Sequence, residues 1–328
     1  MKRLFLLAAG AGVWLAACSE SPQPTAPGTS PITAVAPPEM LRFEADHPHT
    51  HIQLPRGFAR GAAKTSSTGI SYHGGPLFTS QTRIVAIYWS GSTIYNGGPL
   101  PGTTGNGSQD GSIVGAFLSG LGGSPYFNIN ATYFDGSGTH VTNSVAYTRY
   151  WAANTNAPTS GQTVSDAQVQ ALIVSGFNSG ALTYDNSTLY AVFSGPGVNL
   201  GGGFGTQYCA YHGRFSSSGR DVKYAVMPRD NDLPSACSAL NGSPNNDAAA
   251  DAEVNTLAHE TEETTTDEDL NAWYDRRGNE NADKCAWTFG TTYVTSNGST
   301  ANMNLGGRDY LVQRNWVNSG NGGCLLAF

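Results

Sequence analysis

His259, Glu260 and Glu263 form a His-Glu-x-x-Glu pattern, and Glu280 and Asp283 close the same acidic stretch. Of the 24 acidic residues in the chain, 12 fall between Asp247 and Asp283. Carboxylates crowded at this density repel one another and persist only when solvated, protonated or neutralised by a cation. Residues four apart share one face of a helix, so His259 and Glu263 can reach one metal ion. Glu260 projects about 100° away, as the general base does in a His-Glu-x-x-His zinc helix. A carboxylate replaces the second imidazole here, and zinc accepts carboxylate oxygen. The added oxygen makes the ligand set harder, so manganese and calcium are alternatives. Glu280 and Asp283 compete for the third ligand position. Asp267 lies two turns beyond His259, roughly 12 Å along a helix axis, and is expected to cap or orient the loop. The competing readings are a solvated acidic helix end and a calcium-stabilised loop without catalysis.

The elements that must position these groups are partly legible. Residues 83–89 are almost continuously apolar, which predicts a buried central strand. Residues 189–193 and 222–227 read the same way, and 140–150 as a further strand. Ile113, Phe117 and Leu121 have helical spacing within 112–121, and Ser165 caps a helix over 165–174. The site helix is expected over 247–264. Ala248, Ala249 and Ala250 favour it, and the β-branched Thr264, Thr265 and Thr266 are expected to end it. Strands alternating with helices predict an α/β or α+β domain, a mixed sheet with flanking helices and a zincin-like site helix.

A basic start, a short apolar run and Leu15-Ala16-Ala17-Cys18 read as a lipoprotein signal over residues 1–18. The expectation is lipidation of Cys18, with Ser19 after it pointing to the outer membrane of a cell with two membranes. Residues 19–68 are rich in Pro, Ser and Thr and are expected to form a disordered tether. His47, His49 and His51 alternate there and can bind a transition metal loosely; the simpler reading is an accidental polar patch. Residues 69–328 suffice for one large domain. Their low charge and many glycines suit an extracytoplasmic surface. The remaining cysteines, Cys209, Cys237, Cys285 and Cys324, imply two disulfides in an exported domain. Three connectivities are open; Cys209–Cys237 with Cys285–Cys324 closes the shortest loops. A bridge at Cys285 would pin the acidic loop near the helix. A net charge of −7 and a pI near 5.4 argue against nucleic acid as partner.

Several short motifs occur in order. Tyr72-His73-Gly74-Gly75-Pro76-Leu77 precedes Tyr88-Trp89; then come Cys209-Ala210-Tyr211-His212, Cys237, Thr266-Asp267 and Asn271-Ala272-Trp273-Tyr274. Cys285 leads to Phe289-Gly290, and Gly307-Arg308-Asp309-Tyr310-Leu311 to Trp316 and Cys324. This ordered set resembles the EXORDIUM / phosphate-induced protein 1 family from about Tyr72 to Phe328. The resemblance implies a secreted protein, the plant members acting at the cell wall in growth control, and implies no particular biochemical activity. The plant pattern lacks a His-Glu pair at His259-Glu260. With Glu280-Asn281-Ala282-Asp283-Lys284-Cys285 further on, this chain looks like a bacterial branch.

Two functions are expected. In the first, a zinc peptidase or related hydrolase uses His259 and Glu263 as ligands, Glu280 or Asp283 as the third, and Glu260 as general base. His212, held rigid beside Cys209, can polarise a substrate carbonyl, although a structural hydrogen-bonded role is the simpler reading. In the second, a non-catalytic surface module binds cell-wall glycan. Trp89, Tyr95, Tyr126, Trp151, Trp273 and Tyr274 offer stacking faces, and the acidic cluster holds a structural cation such as calcium. A Gly-x-Ser-x-Gly elbow, a P-loop and a dinucleotide fingerprint are missing from the sequence.

Overall fold

The structure, a computed structural model, describes residues 49–58 and 69–328. Cys18, the leader and most of the tether lie outside the described residues. Nine strands and three helices frame the domain. The strands are β1 (Thr50–Gln53), β2 (Ser71–Tyr72), β3 (Thr82–Trp89), β4 (Thr104–Asn106), β5 (Val145–Trp151), β6 (Thr188–Ser194), β7 (Ala210–Ser217), β8 (Arg220–Met227) and β9 (Trp273–Tyr274). The helices are α1 (Ile113–Leu121), α2 (Asp166–Ser179) and α3 (Ala248–Thr266). Short two-stranded ribbons complete the C-terminal region.

Seven strands form one mixed sheet in the order β1-β7-β8-β6-β3-β5-β4. The inner pairs β8–β6, β6–β3 and β3–β5 are parallel, while β1–β7, β7–β8 and β4–β5 are antiparallel. The expected mixed α/β architecture is therefore present. The apolar runs of β3 and β6 follow from burial on both faces. Ile84, Ala86 and Tyr88 face a core shared with α1 and α3, and Val85, Ile87 and Trp89 face one shared with α2. Ser112 caps α1 through Gly115 N, and Ser165 with Gln168 forms a capping box on α2.

Two differences from the sequence expectation bear on the site. First, β1 lies upstream of the domain start expected at Gly69, yet it forms the edge of the sheet. Ile52 and Leu54 are buried on the α2 side, and the Trp287 indole donates to Leu54 O at 2.7 Å. Second, α3 runs through the threonines expected to end it. Their hydroxyls donate back along the helix, Thr264 Oγ1 to Glu260 O at 2.7 Å and Thr265 Oγ1 to Thr261 O at 2.7 Å, which satisfies them in a buried helix interior.

The disulfides are Cys209–Cys237 and Cys285–Cys324, the expected sequential pairing. Such bridges belong to an oxidising compartment. No helix among the described residues is long and apolar enough to cross a membrane.

Candidate metal centre

Helix α3 is buried on every side: each residue from Ala249 to Thr266 is shielded from solvent. This overturns the solvated acidic helix end. A helix carrying this much charge is normally half exposed, and buried carboxyls require partners. Glu262 finds one in Asn315, whose Nδ2 donates to Oε2 at 2.6 Å. Asp267 caps the helix and orients the loop, as expected; its Oδ1 accepts from Asn271 N and Ala272 N, both at 2.6 Å.

The remaining acidic groups meet histidines. The side-chain alternation of a strand puts Tyr211 and Ile52 on the α2 face of the sheet, so His212 and His51 face α3. These two histidines are register partners on β7 and β1. From α3, Glu260 Oε2 lies 3.1 Å and Glu263 Oε2 3.6 Å from His212 Nδ1. Glu263 Oε1 lies 3.0 Å from His259 Nε2, one helical turn away. The loop after α3, held by the Cys285–Cys324 bridge, supplies the rest. Asp283 Oδ1 is 3.6 Å from His259 Nε2, its Oδ2 is 2.7 Å from His51 Nε2, and Asp283 N donates to Glu263 Oε1 at 2.9 Å. Glu280 stands 3.6 Å from His51 Nδ1 and 3.6 Å from His212 Nε2.

All six residues singled out as catalytic, metal-binding or substrate-contacting, His212, His259, Glu260, Glu263, Glu280 and Asp283, thus converge. His51, read as part of a tether, joins them. The signal that marks it is short: Ile52 and Leu54 alternate with polar Thr50, His51 and Gln53 before Pro55. His73 stays outside the cluster, stacked on Tyr274 with ring centroids 3.7 Å apart. Of the aromatics offered as stacking faces, Trp89, Tyr95, Tyr126 and Trp273 are core residues.

Two sets of these side chains bring potential ligand atoms within 4.8 Å of one another: His51, Glu263 and Asp283, and His212, Glu260 and Glu263. Glu260 Oε1, Glu263 Oε2, Glu280 Oε2 and His212 Nε2 are sealed from solvent without a hydrogen-bond partner. Nearby lysines are engaged elsewhere, Lys223 with Asp221 and Asp269, and Lys284 with Asp275. Facing lone pairs of this kind suit a cation, and imidazole with carboxylate suits zinc or manganese better than calcium.

Without a cation, protons hold the cluster together. Burial pulls the His51 imidazole down, but the Asp283 charge and hydrogen bond, helped by Glu263 and Glu260, raise it to about 9. Burial likewise opposes protonation of His259, and Glu263 and Asp283 still drive its pKa well up. Burial, then the Glu263 and Asp283 charges, push Glu260 well above the carboxylate range. Burial and the charges of Asp267, Glu263 and Asp283 do the same to Glu280. Burial and the two neighbouring imidazoliums push His212 well down. Asp283 resists its burial because His51 and His259 hold it below the usual carboxylate range. A divalent cation would replace these protons.

No curated protein and no solved structure matches the chain. The phosphate-induced protein 1 conserved region matches residues 123–318. The match takes in α2, α3, both disulfide-bearing loops except Cys324, and every residue of the cluster but His51. Spanning more than half of the sequence, it shows that the chain belongs to the phosphate-induced protein 1 family.

Proposed function

We propose that this chain is a divalent-metal-dependent hydrolase, with zinc the favoured ion and peptide bonds the favoured substrate. The observation that carries this reading is that His259 Nε2 has Glu263 Oε1 at 3.0 Å and Asp283 Oδ1 at 3.6 Å, with Glu260 next to it in the chain. Asp283 is the better third ligand, because Glu280 faces His51 and His212 instead. A zinc ion held there would lower the pKa of a bound water towards about 7. Glu260, kept basic by burial, would accept the proton of the attacking water and deliver it to the leaving amine. Substrate would approach past His51, the most exposed member at 21%. The test is Glu260→Gln. Metal should stay bound while cleavage of a quenched-fluorescent peptide library falls by at least about 10²-fold. A variant as active as the parent rules out this role for Glu260.

One observation favours a second reading. Glu260, Glu263, His212 and His259 are fully buried, as suits a structural cation in a surface module that binds cell-wall glycan. Calcium is the ion for such a cage, although three imidazoles fit it poorly. Under either reading the Lys2-Arg3 start and the Leu15-Ala16-Ala17-Cys18 boundary support an extracytoplasmic protein anchored by lipid at Cys18.

A further inference from the structure

Glu263 directs its two oxygens to different histidines. Oε1 faces His259 at 3.0 Å and accepts from Asp283 N. Oε2 faces His212 Nδ1 at 3.6 Å and has no hydrogen-bond partner. A carboxylate placed this way can bridge two ions. We infer that His212 Nδ1, Glu260 Oε2 and Glu263 Oε2 form a second divalent-cation site beside the one proposed above, with Glu263 shared between them. This inference rests on that metal centre.

Three observations carry the second site independently of acidity. His212 is a strand residue, 0% exposed, delivered by β7 from the sheet and not by the acidic helix. Its ligand atoms lie together with those of Glu260 and Glu263. Its other nitrogen, Nε2, is unpartnered and 3.6 Å from the unpartnered Glu280 Oε2. With an ion on Nδ1, the imidazole proton moves to Nε2 and donates to Glu280. That is the carboxylate–histidine–metal arrangement that fixes a ligand's tautomer. Glu280 is then a positioning residue for the second ion, which explains why it sits apart from His259.

Filling this site has a consequence for the proposed chemistry. Glu260 becomes a ligand and can no longer accept a proton, so the two-ion form is the inhibited one. The second ion also binds the more weakly, because two adjacent divalent charges repel.

The experiment is an equilibrium titration of the chelator-stripped full chain with zinc, read by calorimetry and by metal analysis after gel filtration. The expected result is two zinc ions per chain, the second bound on the order of 10-fold or more weakly. His212→Ala and Glu260→Gln should each leave one. Glu260→Gln preserves the hydrogen-bonding shape of the site and serves if His212→Ala fails to fold. Saturation of the parent at one ion overturns the second site and leaves the first standing. Two ions in both variants also overturns it. No binding at all removes the metal centre itself, and both readings with it.

Discussion

Glu253 illustrates what burial does to a single carboxyl on α3. Its Oε2 accepts from Asp230 N at 3.3 Å, and its Oε1 has no partner. Burial raises its pKa from 4.5 to about 8, against the opposing pull of that hydrogen bond, of Tyr95 and of the Arg229 charge. A carboxyl raised in the folded state supports stability below its unfolded pKa and loses that support as pH rises through the folded value. The metal-free chain should therefore lose stability between pH 4.5 and about 8. Glu253→Gln, which cannot ionise, should be more stable than the parent at pH 9 by more than about 1 kcal/mol, with little difference at pH 5. Denaturant titrations in chelator measure this, and superimposable pH profiles would contradict it. At this scale the sequence was informative wherever the candidate ligands were close in the chain. His259 and Glu263 are one turn apart, and the pairing of Cys285 tied Glu280 and Asp283 to them. His51 was legible only as one of three alternating histidines that could bind a metal loosely; its place in this cluster depends on pairing with β7, far away in sequence.

Among the elements, α3 was recognisable from its alanines and from the spacing of His259 and Glu263. Its burial was not, because a mean composition so polar reads as surface. Its C-terminal end also continued past the point where β-branching should have stopped it, since the threonine hydroxyls bond to the preceding turn. The edge strand β1 depends on a glycine. Gly213 is the register partner of Thr50, and a Cβ there would come within 2.3 Å of His49 O and 3.0 Å of Thr50 Cγ2. Gly213→Ala should push β1 off the sheet and draw His51 away from Asp283. We expect a loss of about 1–3 kcal/mol, as for overpacking elsewhere, and weaker zinc binding with both disulfides intact. Unchanged affinity would show that His51 plays no part in the centre.

For the molecule as a whole, the inner strands β3, β6 and β8 were predictable from their sequence runs. The strand order and the antiparallel edge were not, because they rest on contacts between distant segments. The lipid anchor belongs to this scale too. If Cys18 carries lipid, Cys18→Ser should shift the chain from the membrane fraction to the soluble one, whereas unaltered fractionation would argue against the anchor. The buried cluster joins a sheet edge, a helix and a disulfide-held loop, so one ion bound there would link three separate elements of the fold.

Crystals grown with zinc and measured above and below its absorption edge test the central claim most directly. An anomalous peak should lie within about 2.2 Å of His259 Nε2, Glu263 Oε1 and an Asp283 oxygen, and His259→Ala should erase it. A well-ordered cluster with no peak, its histidines still paired to Asp283 and Glu263, would contradict the metal centre.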